Sequence, residues 1–137
     1  MMLKTILCVD DDPITLMLCK KVIKKAEFSE EVMFANNGQE AYELFESLLA
    51  QKLQNDEINL PQLIFLDLNM PVMSGWEFLD LFNKSIPVEF SQTKVIILSS
   101  TIDPADYNKA KQYNIVSHFL SKPITVEMLE NLKPIYS

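Results

Sequence analysis

The chain has 137 residues, with 19 acidic against 12 basic side chains and a formal charge of −7. One domain is the default at this length, and about two-thirds of the surface is buried on folding, enough for a core without disulfide or metal staples. Two glycines far apart exclude a glycine-rich nucleotide loop, one histidine excludes a multi-histidine zinc site, and a chain without arginine at pI ≈ 4.6 is a poor ligand for nucleic acid or anionic membranes.

Residues 5–9 are a short apolar run stopped by Asp10-Asp11-Asp12-Pro13, the pattern of a buried parallel strand followed by an N-cap and a proline at the first helical position. Ile14, Met17, Leu18 and Val22 then recur at helical spacing to about Ala26, with Lys20, Lys21, Lys24 and Lys25 as a solvated face. Cys8 and Cys19 stand among apolar neighbours and read as buried small hydrophobes, with a disulfide as the alternative. Lys4 interrupts the N-terminal apolar run, so it is no secretory signal. No run approaches the ~20 residues of a membrane span. A cytoplasmic location is expected.

Residues 32–35 form a second strand closed by the turn signal Asn36-Asn37-Gly38. Ala41, Leu44, Phe45, Leu48 and Leu49 mark an amphipathic helix to about Leu53, broken by the polar stretch 54–61. Residues 63–66 are apolar and end on Asp67; a loop over 69–75 leads to a third helix begun by Trp76, Leu79 and Phe82. Residues 95–98 end on Ser99-Ser100, and Asp103-Pro104 repeats the cap-and-proline device, with a helix expected to about Tyr113 and Asn114 as a left-handed cap. Phe119 and Leu120 belong to a fifth strand ending at Ser121-Lys122-Pro123, with His118 facing outward from a sheet edge. Thr125 opens a last helix to about Leu132.

Five β-α units in alternation predict an α/β fold: a doubly wound parallel sheet with right-handed crossovers and helices on both faces. Ligands of such sheets bind at the carboxyl ends of the strands. There stand Asp10 and Asp11 after the first strand, Asp67 after the third, Ser99 and Ser100 after the fourth, and Lys122 after the fifth. Asp12 and Asp103 read as helix caps. Asp10, Asp11 and Asp67 crowded together would repel and call for a cation. Oxygen-only ligands point to Mg²⁺ (or Mn²⁺) rather than zinc.

The segments Ile6-Leu7-Cys8-Val9-Asp10-Asp11-Asp12, Leu63-Ile64-Phe65-Leu66-Asp67-Leu68-Asn69-Met70-Pro71-Val72-Met73-Ser74-Gly75, Val95-Ile96-Ile97-Leu98-Ser99-Ser100 and Ser121-Lys122-Pro123 resemble the receiver domain of bacterial two-component response regulators, of the chemotaxis-regulator (CheY-like) type. The resemblance covers nearly the whole chain. It implies a flavodoxin-like (βα)5 sheet, a five-stranded parallel sheet in order 2-1-3-4-5, and a single receiver domain over residues 1–137 with no output domain. It implies that Asp67 accepts a phosphoryl group from a sensor histidine kinase or a histidine phosphotransfer protein. Asp10, Asp11 and Asp67, with the backbone carbonyl of Asn69, would hold Mg²⁺. Lys122 would pair with the phosphoryl oxygens, and Ser99 would hydrogen-bond them with the backbone N–H of Ser100.

Ser99 and Phe119 would form the switch, and Tyr107, Lys109 and Ala110 would share the output face. Phe119 lacks the hydroxyl of the tyrosine commoner in the family. The protein would be a signalling phosphoacceptor rather than a metabolic enzyme, a monomer or weak dimer acting on a separate protein by regulated binding or onward phosphotransfer. Two rivals read less well. An aspartate-nucleophile phosphatase carries a second aspartate where Asn69 stands, and a pseudo-receiver interaction module usually lacks part of the acidic set that is present here. The segment over 38–62 is long for the family.

Overall fold

A computed structural model of the chain describes residues 2–84, 92–100 and 103–136. The chain alternates β1 (Leu3–Val9), α1 (Pro13–Lys25), β2 (Ser29–Ala35), α2 (Gly38–Gln54), β3 (Leu63–Leu66), α3 (Gly75–Lys84), β4 (Lys94–Ser99), α4 (Pro104–Ala110), β5 (Val116–Ser121) and α5 (Val126–Tyr136). The strands form one parallel sheet in the order β2-β1-β3-β4-β5. This is the flavodoxin-like arrangement, and its order reverses between β1 and β3, the switch point where such sheets open a crevice.

β3 is apolar throughout, and β1 and β4 are apolar over residues 6–9 and 95–98, because helices cover both faces of the sheet there. Alternate residues serve two cores. Leu7, Val9, Ile64, Leu66, Val95 and Ile97 meet Ala41 and Phe45 of α2 and Phe78, Leu79 and Phe82 of α3. Ile6, Cys8, Leu63, Phe65, Ile96 and Leu98 meet Leu16, Cys19 and Ile23 of α1 and Leu129 and Leu132 of α5. The register sets Val9 beside both Ala35 and Leu66, Leu66 beside Ile97, and Ser99 beside Ser121. The residues that follow these positions therefore emerge together at one edge of the sheet.

The helix starts follow from their caps. Asp12 Oδ1 accepts the N–H of Ile14 at 3.0 Å ahead of Pro13, and Asp103 Oδ1 accepts that of Ala105 at 2.9 Å ahead of Pro104. Asn37 caps α2 through the Glu40 N–H at 2.9 Å. The long α2 ends with Lys52 Nζ donating to the carbonyls of Asp56 and Ile58, at 2.9 and 3.0 Å, so its own lysine closes the extension.

Four expectations are corrected. On α1 the spacing of Ile14, Met17, Leu18 and Val22 marks the wrong stripe. Leu16, Cys19 and Ile23 are buried, whereas Ile14 and Met17 are 70% and 53% exposed. Both stripes are apolar, so periodicity does not distinguish them. Helix α4 stops at Ala110 rather than Tyr113, and turns carry the chain onward through the Gln112 and Tyr113 N–H groups to the carbonyls of Lys109 and Ala110. Asn114 is not left-handed; among the described residues other than glycine only Glu27 and Val72 are. His118 does lie on an edge strand, but its ring is half-buried against α5, with Nδ1 2.8 Å from the Tyr136 hydroxyl. Cys8 and Cys19 are buried free thiols, and the four lysines of α1 are exposed.

Candidate functional site

Three strand ends build the site, each tied by a backbone hydrogen bond to its neighbour. The Asp10 N–H donates to the Ala35 carbonyl at 3.1 Å, Asp67 to Val9 at 3.0 Å, and Lys122 to Ser99 at 2.8 Å. Lys122 Nζ lies 2.6 Å from Asp10 Oδ2 and 3.4 Å from Asp67 Oδ1. Asp10, Asp11 and Asp67 each offer a carboxylate oxygen, and these lie within 4.8 Å of one another. Asp10 and Asp67 are buried and Asp11 is exposed at the mouth. Asp10 Oδ1 also accepts the Asp12 N–H at 2.9 Å, which fixes its rotamer.

Burial pushes the Asp67 carboxyl above the ordinary carboxylate range, and the Asp10 carboxylate adds to the push. The Lys122 ammonium and the backbone N–H of Asn69 oppose it. Burial works to lower Lys122, yet its hydrogen bond to Asp10 and the charges of Asp10 and Asp67 outweigh that and hold it above the usual lysine value. Lys122 thus pairs with Asp10 and Asp67 in a group that holds three carboxylates. A hard divalent cation fits this oxygen-only donor set, because it would offset the repulsion that Lys122 leaves uncompensated.

Ser99 ends β4 as a buried residue, and Ser100 follows it exposed. Asn69 is exposed two residues beyond Asp67. Phe119 packs half-buried on the α4 side of the sheet, with the Tyr107 ring edge-on at 5.9 Å. Lys109 does not share a face with Tyr107: its Nζ lies 4.5 Å over the Trp76 ring on α3, while Lys111 covers Tyr107.

Sequence reasoning missed what the two glycines do. A Cβ on Gly75 would sit 2.3 Å from the Asp67 carbonyl oxygen, and the Gly75 N–H donates to Leu68 at 3.0 Å. A Cβ on Gly38 would meet Met73 at 2.9 Å, and its N–H donates to the Met73 carbonyl. Far apart in sequence, both press on the loop that follows Asp67. That same loop carries Val72 at φ 68°, a strained conformation for a β-branched residue. The pairing of an isolated glycine with an acidic strand end is the only signal for this in the sequence.

The family of response regulator receiver domains matches residues 6–132. The chain belongs to that family. A crystal structure of a two-component response regulator from Cytophaga hutchinsonii is 31% identical to this receiver, with TM-score 0.87 over 99% of this chain and 98% of that one. The chemotaxis protein CheY4 of Vibrio cholerae, 24% identical, shares its fold with TM-score 0.73 over 98% of this chain and 99% of that one. The nitrate/nitrite response regulator NarL of Escherichia coli K12 is 42% identical over 76 residues, 56% of this chain and 30% of that protein. The receiver spans under a third of the curated relatives it matches.

Proposed function

We propose that this receiver is a phosphoacceptor that takes a phosphoryl group on Asp67 from a phosphohistidine of a sensor kinase or histidine phosphotransfer protein. The observation that carries the reading is the buried Asp67 carboxylate, 3.4 Å from the Lys122 ammonium and grouped with Asp10 and Asp11 at the sheet's switch point. An Asp67 oxygen attacks phosphorus as the P–N bond breaks. The imidazole leaves with the bonding pair and picks up a proton from solvent, and Asp67 carries an acyl phosphate. Lys122 holds Asp67 oriented, then offers its charge to the transferred oxygens. In this reading the Ser99 hydroxyl and the Ser100 N–H, at the end of the neighbouring strand, hydrogen-bond the same group. A Mg²⁺ or Mn²⁺ ion held by Asp10, Asp11, Asp67 and the Asn69 carbonyl would supply further charge neutralisation.

The acyl phosphate carries about −2 where the carboxylate carried −1, a net gain of about one negative charge near the end of β4, and the output is regulated binding to another protein or onward transfer rather than metabolic turnover. Ile14, three residues after Asp11, and Val72, in the loop after Asp67, are 70% and 79% exposed and offer apolar footing for a protein donor. No helix among the described residues is long and apolar enough to cross a membrane; the proposed setting is cytoplasmic.

The test is incubation with acetyl phosphate and Mg²⁺ followed by intact mass. One phosphoryl group is expected on the wild type, with none when the metal is chelated and none in Asp67→Asn. An adduct retained in Asp67→Asn, or none on the wild type, overturns the reading.

A further inference from the structure

Helix α4 is seven residues long and buries only Ala110, so little apolar packing holds it to the body. A group of side chains outside the acceptor site supplies the missing grip. The Lys109 ammonium lies 4.5 Å over the Trp76 ring, and Trp76 stacks on Tyr113 at 5.9 Å with 27° between planes. The Tyr113 hydroxyl donates to Asp80 Oδ1 at 2.5 Å. Burial, then Asp80, pushes that hydroxyl up to about 12, so it remains a donor across neutral pH. Trp76 and Asp80 are four residues apart on one face of α3, and α3 begins at Gly75, wedged against the Asp67 carbonyl. The group therefore joins the helix rooted on the acceptor loop to the far end of the helix that follows Ser99.

We infer that Trp76, Asp80, Lys109 and Tyr113 form a clip that holds α4 against α3 and opposes phosphorylation of Asp67. The inference rests on the phosphoacceptor reading. Helix α4 begins at Pro104, five residues after Ser99, so a displacement of the Ser99 end of β4 toward a phosphoryl group bears on the start of α4. The clip anchors the other end of that short helix to α3. Coupling of this kind is reciprocal: if phosphorylation strains the clip, loosening the clip favours phosphorylation by the same factor.

The full chain is compared as wild type, Tyr113→Phe and Asp80→Asn, the last keeping an acceptor oxygen for Tyr113. Hydrogen exchange of amides 104–110 is read without phosphodonor. The extent of Asp67 phosphorylation at fixed, sub-saturating acetyl phosphate with Mg²⁺ is read by intact mass, and emission of Trp76, the single tryptophan, follows the clip. Tyr113→Phe is expected to exchange faster in α4, to shift the phosphorylation equilibrium roughly fivefold toward the adduct, and to lose most of the emission change that phosphorylation causes in the wild type. Asp80→Asn is expected to fall between the two. Unchanged exchange and unchanged phosphorylation in a folded Tyr113→Phe overturn the clip, and faster exchange with unchanged phosphorylation overturns the coupling. A wild type that takes up no phosphoryl group overturns the phosphoacceptor reading and the coupling together; a wild type that does, with variants phosphorylated to the same extent, leaves that reading standing and overturns the coupling. If Tyr113→Phe does not fold, Lys109→Met removes only the cation over Trp76 and carries the same comparison.

Discussion

Burial beside Asp10 raises the Asp67 pKa, so its carboxylate is held there at a cost to the fold. Because its folded pKa lies above the unfolded value, the folded chain binds that proton more tightly. The Asp67 contribution to stability is therefore lost as pH rises from the ordinary carboxylate range through the raised folded value, and the penalty stays constant above it. In the absence of divalent metal, Asp67→Asn is expected to raise Tm at pH 7 by roughly 3 °C, about 1 kcal/mol in a chain of this size. The difference should vanish near the acid end of the titration, as thermal unfolding across pH will show. Gly75→Ala should act in the opposite sense. The added methyl meets backbone rather than a movable side chain, so a loss of about 3 kcal/mol in urea unfolding is expected, with slower phosphorylation from the displaced Asp67.

Among the elements, α1 teaches the most. Its buried stripe of Leu16, Cys19 and Ile23 runs beside an exposed one that includes Ile14 and Met17, and a helix with two apolar stripes has one more than its core requires. Ile14→Asp is expected to slow transfer from a phosphohistidine protein at least tenfold while leaving the rate with acetyl phosphate within about twofold, since exposed apolar anchors act on protein contacts rather than on the chemistry. Comparing the two donors in one assay series checks this. Strands were easier to read than helices for a physical reason. A strand covered on both faces is apolar through its middle, so the first polar residue after it, Asp10 after β1 and Asp67 after β3, marks where the chain leaves the sheet. The end of α4 was not legible, because Lys111, Gln112 and Tyr113 suit a helix and the turn there is imposed by packing. Nor was the pairing of Tyr113 with Asp80, 33 residues apart, which no local pattern announces.

In the molecule as a whole, negative charge is concentrated rather than evenly spread. Asp10, Asp11 and Asp67 converge within 4.8 Å on a chain whose formal charge is already −7. Added Mg²⁺ should raise the wild-type Tm with the logarithmic concentration dependence of a ligand bound only by the folded state, and should raise that of Asp67→Asn far less. Differential scanning at increasing MgCl₂ measures both. Strand ends and the polar residues that stand at them follow from hydrophobic runs and the charges that stop them, whereas the sheet order is implied by the family resemblance. The glycine contacts behind Asp67 depend on how two distant turns meet in space.

The backbone bond from the Lys122 N–H to the Ser99 carbonyl, 2.8 Å long, gives the ends of β4 and β5 a common mechanical fate. On the phosphoacceptor reading, a movement of the Lys122 backbone toward an incoming charge is expected to reach Ser99 through this bond. Time-resolved probes placed on either strand end should then report a single shared relaxation.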